Sequence, residues 1–202
     1  MSIEGLDTQV LLLINNGLAG SSLDVVMIAL SDRGYLLFLP YLLYMVVRGW
    51  SGRAKADVSV LKLAVLALLV AIVSSYTADA FADLLKPLFA RLRPCHAVSG
   101  IRLVVRCSNS FSMPSGHAIS SFAAATTLFY LPRHFIPVIA RWYPLLLAAA
   151  VALSRVYLGV HYPSDVIVGA ALGSVVAMLF CLLSERSLPK RPRQSSYPGN
   201  PS

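Results

Sequence analysis

Residues 61–82, LKLAVLALLVAIVSSYTADAFA, constrain the fold more than any other stretch. No charged side chain falls between Lys62 and Asp79. A bilayer core of about 30 Å is crossed by about 20 helical residues at about 1.5 Å each. In hydrocarbon every backbone N–H and C=O must find its partner within the segment, so a single apolar run of this length is helical. Residues 118–131, 144–158 and 166–183 have the same character, and 35–47 forms a shorter run. Several of these reach spanning length only if their polar ends are included. Charged residues make up 13% of the chain, against about 25% in soluble domains, which argues against a soluble helical bundle. The expectation is an all-α fold: a polytopic membrane helical bundle of five to six transmembrane helices with an N-terminal interfacial helix. One integral membrane domain is expected over residues 1–188, followed by a basic Pro/Ser-rich disordered tail over 189–202.

The N-terminus, MSIEGLDTQVLLLINNG, has acidic flanks and no small-residue cleavage site, and is not read as a signal peptide. Residues 5–16 read as a helix in the interface. Residues 21–34 read as a second short helix, with Ser22 as its cap and Gly34 at its end. Whether residues 22–31 cross the membrane is left open. Lysine and arginine set the orientation. Arg48, Arg53 and Lys55 lie in one loop, Arg133 and Arg141 in another, and Arg186, Lys190, Arg191 and Arg193 in the tail. With alternating spans these three segments share one side, expected to be the cytoplasm.

The opposite side gathers polar residues from three helix ends. They are Lys86 and Arg93 from KPLFARLRP, Ser115, Gly116 and His117 from SMPSGHA, and Arg155, His161 and Asp165 from SRVYLGVHYPSD. Each alone has a structural explanation. Lys86 and Arg93 could snorkel to headgroups, His117 could be an interfacial histidine, and Asp165 could serve a helix N-terminus. Together, three cations, two histidines and a carboxylate at one depth read as an oxyanion site. Arginine grips two phosphate oxygens at once. A helix start at Pro114-Ser115-Gly116-His117 offers free backbone N–H groups to a phosphate. His161 and Asp165 are four residues apart. If Asp165 holds one ring nitrogen, the other is free to attack phosphorus, and His117 can protonate the leaving oxygen. Asp79 and Asp83 are assigned to pairing with Arg91 or to solvation, with the substrate entrance as the other option. Cys95 and Cys107 fall in the same outer loop and are expected to form a disulfide if that side is oxidising. GIRLVVR between them suggests a small hairpin. Cys181 is read as a packed apolar residue.

These motifs resemble the type 2 phosphatidic acid phosphatase superfamily of membrane lipid phosphatases. Lys86, then six residues to Arg93-Pro94, matches its first motif. Residues 114–117 match its second, and Ser154-Arg155, His161 and Asp165 match its third. The resemblance implies a metal-independent phosphatase with no cofactor and a phosphohistidine intermediate at His161. It implies that Asp165 orients His161 and that His117 is the acid. Lys86, Arg93, Ser115, Gly116 and Arg155 would bind phosphate. The implied partners are a lipid phosphate substrate and membrane lipid, with no nucleic acid. The short N-terminal helices resemble bacterial members acting on undecaprenyl pyrophosphate. Phosphatidylglycerophosphate, phosphatidic acid and lipid A remain alternative substrates. A membrane transporter or a vanadate-dependent haloperoxidase-like protein stands further off. The expected location is the bacterial inner membrane, with the site facing the periplasm or outside.

Overall fold

The computed structural model describes residues 3–51 and 58–186. Residues 52–57 and the tail over 189–202, with the basic clusters and the disorder assigned to them, lie outside the described residues. Eight α-helices follow in order among those described: α1 (Ile3–Gly17), α2 (Ser21–Arg33), α3 (Leu39–Ser51), α4 (Val58–Phe89), α5 (Pro94–Ala97), α6 (Gly116–Tyr130), α7 (Val138–Tyr157) and α8 (Pro163–Arg186). Among the described residues four helical stretches are long and apolar enough to cross a membrane: Ser21–Arg48, Leu61–Ala97, Val138–Tyr157 and Pro163–Arg186. The shorter α6 packs against α4, α7 and α8.

Residues 21–34 and 35–47 do not form two separate pieces. Gly34 has φ −56°, a right-handed helical value, and the chain continues through a 3-10 turn (Gly34–Phe38) into α3. Gly34 therefore ends the α-helical hydrogen bonding without breaking the rod. Ser22 is not the cap; Gly20 occupies that position in extended conformation, with no side-chain cap.

The approach of α6 to α8 positions the site. Gly169, Gly173, Ala177 and Cys181 repeat every four residues and are buried, so they form one stripe on the helix. A Cβ on Gly173 would lie 2.1 Å from the carbonyl oxygen of Ile119, and one on Gly169 would lie 2.8 Å from that of Ser115. Small residues allow close backbone approach where helices associate without a water-driven hydrophobic term. The start of α6 is thereby held against the start of α8. At the far end Tyr41, Met45, Ala67, Leu128, Leu131 and Ala148 form the apolar core. Near the site Leu11, Ala118, Ala152, Val156 and Val166 form a second cluster.

The hairpin expected between Cys95 and Cys107 is absent; residues 101–107 carry no strand. The side-chain amide of Asn15 takes the place of a partner strand. Its Oδ1 accepts from the Arg102 N–H at 2.8 Å, and its Nδ2 donates to the Arg102 carbonyl at 2.8 Å and the Tyr157 carbonyl at 2.7 Å. Gly159 sits beneath this loop at φ +78°, and a Cβ there would meet the Arg102 carbonyl oxygen at 3.0 Å. Glycine is needed on both counts.

Candidate active site

The short loop after α7 places His161 between two charged groups. Its Nδ1 lies 3.4 Å from Asp165 Oδ2, and its Nε2 lies 2.9 Å from Nη1 of Arg93. A guanidinium only donates hydrogen bonds. Nε2 must therefore present its lone pair, and Nδ1 carries the proton toward Asp165. Burial pushes the His161 pKa down to about 4, with the charges of Arg93 and Arg155 adding and Asp165 opposing. The imidazole is neutral at physiological pH, with an unprotonated Nε2.

Asp165 and Arg93 are each held on several sides. Asp165 is fully buried. Its Oδ2 also accepts from the Tyr162 N–H at 2.9 Å and from the Ser112 hydroxyl, and its Oδ1 takes Arg91 Nη1 at 2.8 Å. Arg93 donates from Nε to the Ser110 carbonyl at 2.9 Å, from Nη2 to the Ser110 hydroxyl at 2.9 Å and from Nη1 to the Val160 carbonyl at 3.1 Å. The Arg93 fork is thereby fixed beside Nε2.

Arg91 does not pair with Asp79 or Asp83. It bridges Asp165 and Asp7, with Nη2 2.5 Å from Asp7 Oδ2, and lies 3.8 Å above the Tyr162 ring. Asp7 also accepts from the Ser164 N–H at 2.9 Å, at the start of α8, and from the Ser164 hydroxyl. Asp83 pairs instead with Lys86 at 2.7 Å, with its own side chain 68% exposed. The Lys86 side chain is largely buried, but its carboxylate partner is open to water, and such a pair holds a lysine only weakly.

The other side of the site is less completed. Ser115 is the extended residue before α6, its N–H donates to the Asp165 carbonyl at 3.1 Å, and its hydroxyl makes no cap bond. Ser115 Oγ and Arg155 Nε are buried without a hydrogen-bond partner among the described residues. Arg155 donates from Nη1 to the Ser31 hydroxyl. A Cβ on Gly116 would come 2.8 Å from Asp79 Oδ1, so glycine lets α4 pass close to the start of α6. His117 opens onto a cavity of about 280 Å³ between α2, α4, α6 and α7. It lies within electrostatic range of Arg93, Arg155, His161 and Asp32.

The residues singled out from sequence thus converge, apart from Lys86, which is turned to Asp83. Asp7, Asn15, Arg91, Ser110 and Ser112 were not singled out as site or supporting residues. Asp7, Leu11 and Asn15 are spaced by four and buried, and two polar residues on such a stripe signal a face turned into protein. Cys95 and Cys107 are joined by a disulfide with Cα atoms 6.4 Å apart, at the base of the loop that carries Ser110 and Ser112. With His96 they form a cluster of three possible ligands close enough to hold a metal, but both thiols are used in the bond. Cys181 is free and buried.

The chain is 40% identical over 111 residues to the decaprenylphosphoryl-5-phosphoribose phosphatase of Mycobacterium tuberculosis, covering 55% of this chain and 58% of that protein. It is 30% identical over 213 residues to the lipid A 4'-phosphatase of Bacteroides thetaiotaomicron, covering 98% of this chain and 85% of that one. It is 33% identical over 108 residues to the undecaprenyl-diphosphatase of Sulfolobus acidocaldarius, covering 54% of this chain and 50% of that one. The fold is similar to that of the transmembrane PAP2 type phosphatidylglycerolphosphate phosphatase of Bacillus subtilis, with a TM-score of 0.67 over 94% of this chain and 89% of the other, at 24% identity. The model of the PAP2 superfamily matches residues 60–188, which span all the converging side chains outside α1 and α2, and the chain belongs to that superfamily.

Proposed function

We propose that the chain is a metal-independent membrane lipid phosphatase working through a phosphohistidine. His161 Nε2 attacks phosphorus with its lone pair, and the bond from phosphorus to the leaving oxygen breaks. Burial, with Arg155 adding, pushes the His117 pKa down to about 4; the negative charge of the bound phosphate raises it again, and the ring so protonated gives its proton to that oxygen. Water then attacks phosphorus, its proton passes to His117, the P–N bond breaks, and inorganic phosphate leaves with His161 neutral again. Asp165 stabilises the positive charge on the ring during the first step. Arg93, Arg155, the Ser115 hydroxyl and the N–H groups at the start of α6 take the charge on the phosphoryl oxygens, and Lys86 swings in from Asp83. The observation that carries this reading is the unprotonated Nε2 held beside Arg93, with the unpartnered Ser115 Oγ and Arg155 Nε in the same site.

The substrate is a lipid-linked phosphate whose head lies at the outer face of the bacterial inner membrane. Undecaprenyl pyrophosphate is the expectation from sequence, and a relative named for that activity supports it. Relatives named for a decaprenyl phosphosugar and for lipid A keep the class at polyprenyl and related lipid phosphates. Lysine and arginine placement supports a periplasmic site and a cytoplasmic C-terminus. The test is phosphate release by the protein in detergent, with and without chelator, combined with trapping of label from radiolabelled substrate. Wild type should release phosphate in chelator and retain acid-labile label, and His161→Ala should do neither. Label persisting in His161→Ala would overturn the assignment of the nucleophile.

A further inference from the structure

We infer that Ser31 of α2 is a positioning residue for the phosphoryl transfer: its hydroxyl holds one corner of the Arg155 guanidinium and leaves the opposite edge for the phosphate. This role rests on the phosphatase reading above and adds α2 to the site. Ser31 belongs to none of the three motifs.

Arg155 stands in the last turn of α7, with α2 packed alongside. Its Nη1 donates to the Ser31 hydroxyl, and its Nε is buried with no partner among the described residues. An arginine grips two phosphate oxygens side by side through the edge formed by Nε and Nη2, and Nη1 lies off that edge. A partner on Nη1 therefore fixes the plane of the guanidinium without occupying the donors that phosphate needs. Arg93 contributes its charge, but its Nε and Nη2 are both spent on Ser110. Of the two motif arginines, Arg155 is the one with Nε left for the ligand. Ordering a long side chain costs entropy at each binding event, so holding it beforehand strengthens its grip.

Ser31 can aim Arg155 only if α2 is itself fixed against α7. Asp24, Met27, Ser31 and Gly34 follow at three- and four-residue spacing and so share one face of the rod. Asp24 accepts from the Tyr157 hydroxyl at 2.6 Å, two residues beyond Arg155, and takes Arg102 Nη1 at 2.8 Å. Met27 packs against the cluster of Tyr157, Leu158 and Val160. Gly34 is buried in the turn after α2, and a Cβ there would come 2.8 Å from Cγ2 of Val151, one turn before Arg155. The rod is thus pinned to α7 on both sides of Ser31, which is itself buried. A buried hydroxyl in an apolar contact is costly unless it is bonded, and Arg155 is the group that uses this one.

The experiment is a double-mutant cycle on phosphate release and on competitive inhibition by orthovanadate, with wild type, Ser31→Ala, Arg155→Ala and the double variant in the same detergent. Ser31→Ala should lower kcat/KM about tenfold, the loss of one hydrogen bond to a charged group, and weaken vanadate by a similar factor. Ser31→Thr, which keeps the hydroxyl, should recover most of both. In the Arg155→Ala background, Ser31→Ala should cost less than about twofold further, because the two residues act as one unit. Equal losses in both backgrounds, or wild-type vanadate inhibition in Ser31→Ala, would mean that Ser31 serves packing alone, and would overturn the inference while the phosphatase reading stands. No phosphate release by the wild type overturns both.

Discussion

The two walls of the site differ in how completely the protein satisfies them. On the wall built by the start of α8 and the loop before it, Asp165, His161, Arg93 and Arg91 engage one another, and backbone and serine groups hold three of them in place. On the facing wall, at the start of α6 and the end of α7, Ser115 Oγ and Arg155 Nε lack partners among the described residues, and His117 faces the cavity. A saturated buried network is rigid, and leaving one of its members unpaired is costly. The wall with spare donors is the one where substrate oxygens can complete the bonding. The difference therefore separates the group that must be aimed in advance from those that respond to the ligand. Aiming a nucleophile this way removes orientational entropy from the reacting step.

The largest effect is expected on the open wall. His117→Ala should slow turnover of a lipid phosphate with an alkoxide leaving group by about 10⁴-fold, the upper end of what a general acid contributes. With an aryl phosphate, whose leaving group needs little protonation, the loss should shrink to a few-fold. An equal loss on both substrates, measured as kcat/KM, would place His117 in binding rather than proton transfer.

Next come the two arginines. Arg155→Ala should cost about 2–4 kcal/mol of transition-state stabilisation, by analogy with a lost oxyanion donor. Arg93→Ala should cost more, because it also frees the Ser110 loop and Nε2 of His161. The pH profiles distinguish this effect from simple loss of phosphate binding. Protonation of His161 as pH falls through about 4 removes the attacking lone pair, so the acid limb of kcat/KM lies there. A nearby cation disfavours the imidazolium and lowers that pKa. Removing Arg93 therefore raises it and moves the acid limb to higher pH. An unmoved limb in Arg93→Ala would mean that the contact with His161 does not persist in solution.

Much of this was legible in the sequence because it is local. Apolar runs give helices, and the three motifs give Arg93, the start of α6, and the spacing of His161 and Asp165. Contacts between distant segments were not legible. Nothing near Arg91 in sequence says that its partner is Asp7, a separation of 84 residues. The hairpin expected around residues 101–107 failed for the same reason. Partial alternation suggested a strand, but Asn15 reached in to take the backbone groups a partner would have used. Ser22 looked like a cap because a serine beginning an apolar run usually is one. The chain starts α2 two residues sooner, so Gly20 holds the capping position.

Asp7 gives the smallest and most discriminating expected effect, because it asks whether the closed wall extends into α1. Its carboxylate does two things: it shares the charge of Arg91 with Asp165, and it accepts from the Ser164 N–H at the start of α8. Asp7→Asn keeps an acceptor for that N–H and removes the charge. Arg91 would then act on Asp165 alone and draw the carboxylate away from the Nδ1 proton of His161. The expected loss in kcat is about tenfold, near the lower end of what a charge-assisted hydrogen bond contributes, with KM unchanged because Asp7 does not face the phosphate. Asp7→Glu should recover most of it. Asp7→Ala loses the cap as well, and should also lower thermal stability by about 1 kcal/mol. If Asp7→Asn turns over like wild type while Asp7→Ala is merely less stable, α1 only anchors the start of α8, and the aiming of His161 ends at Arg91.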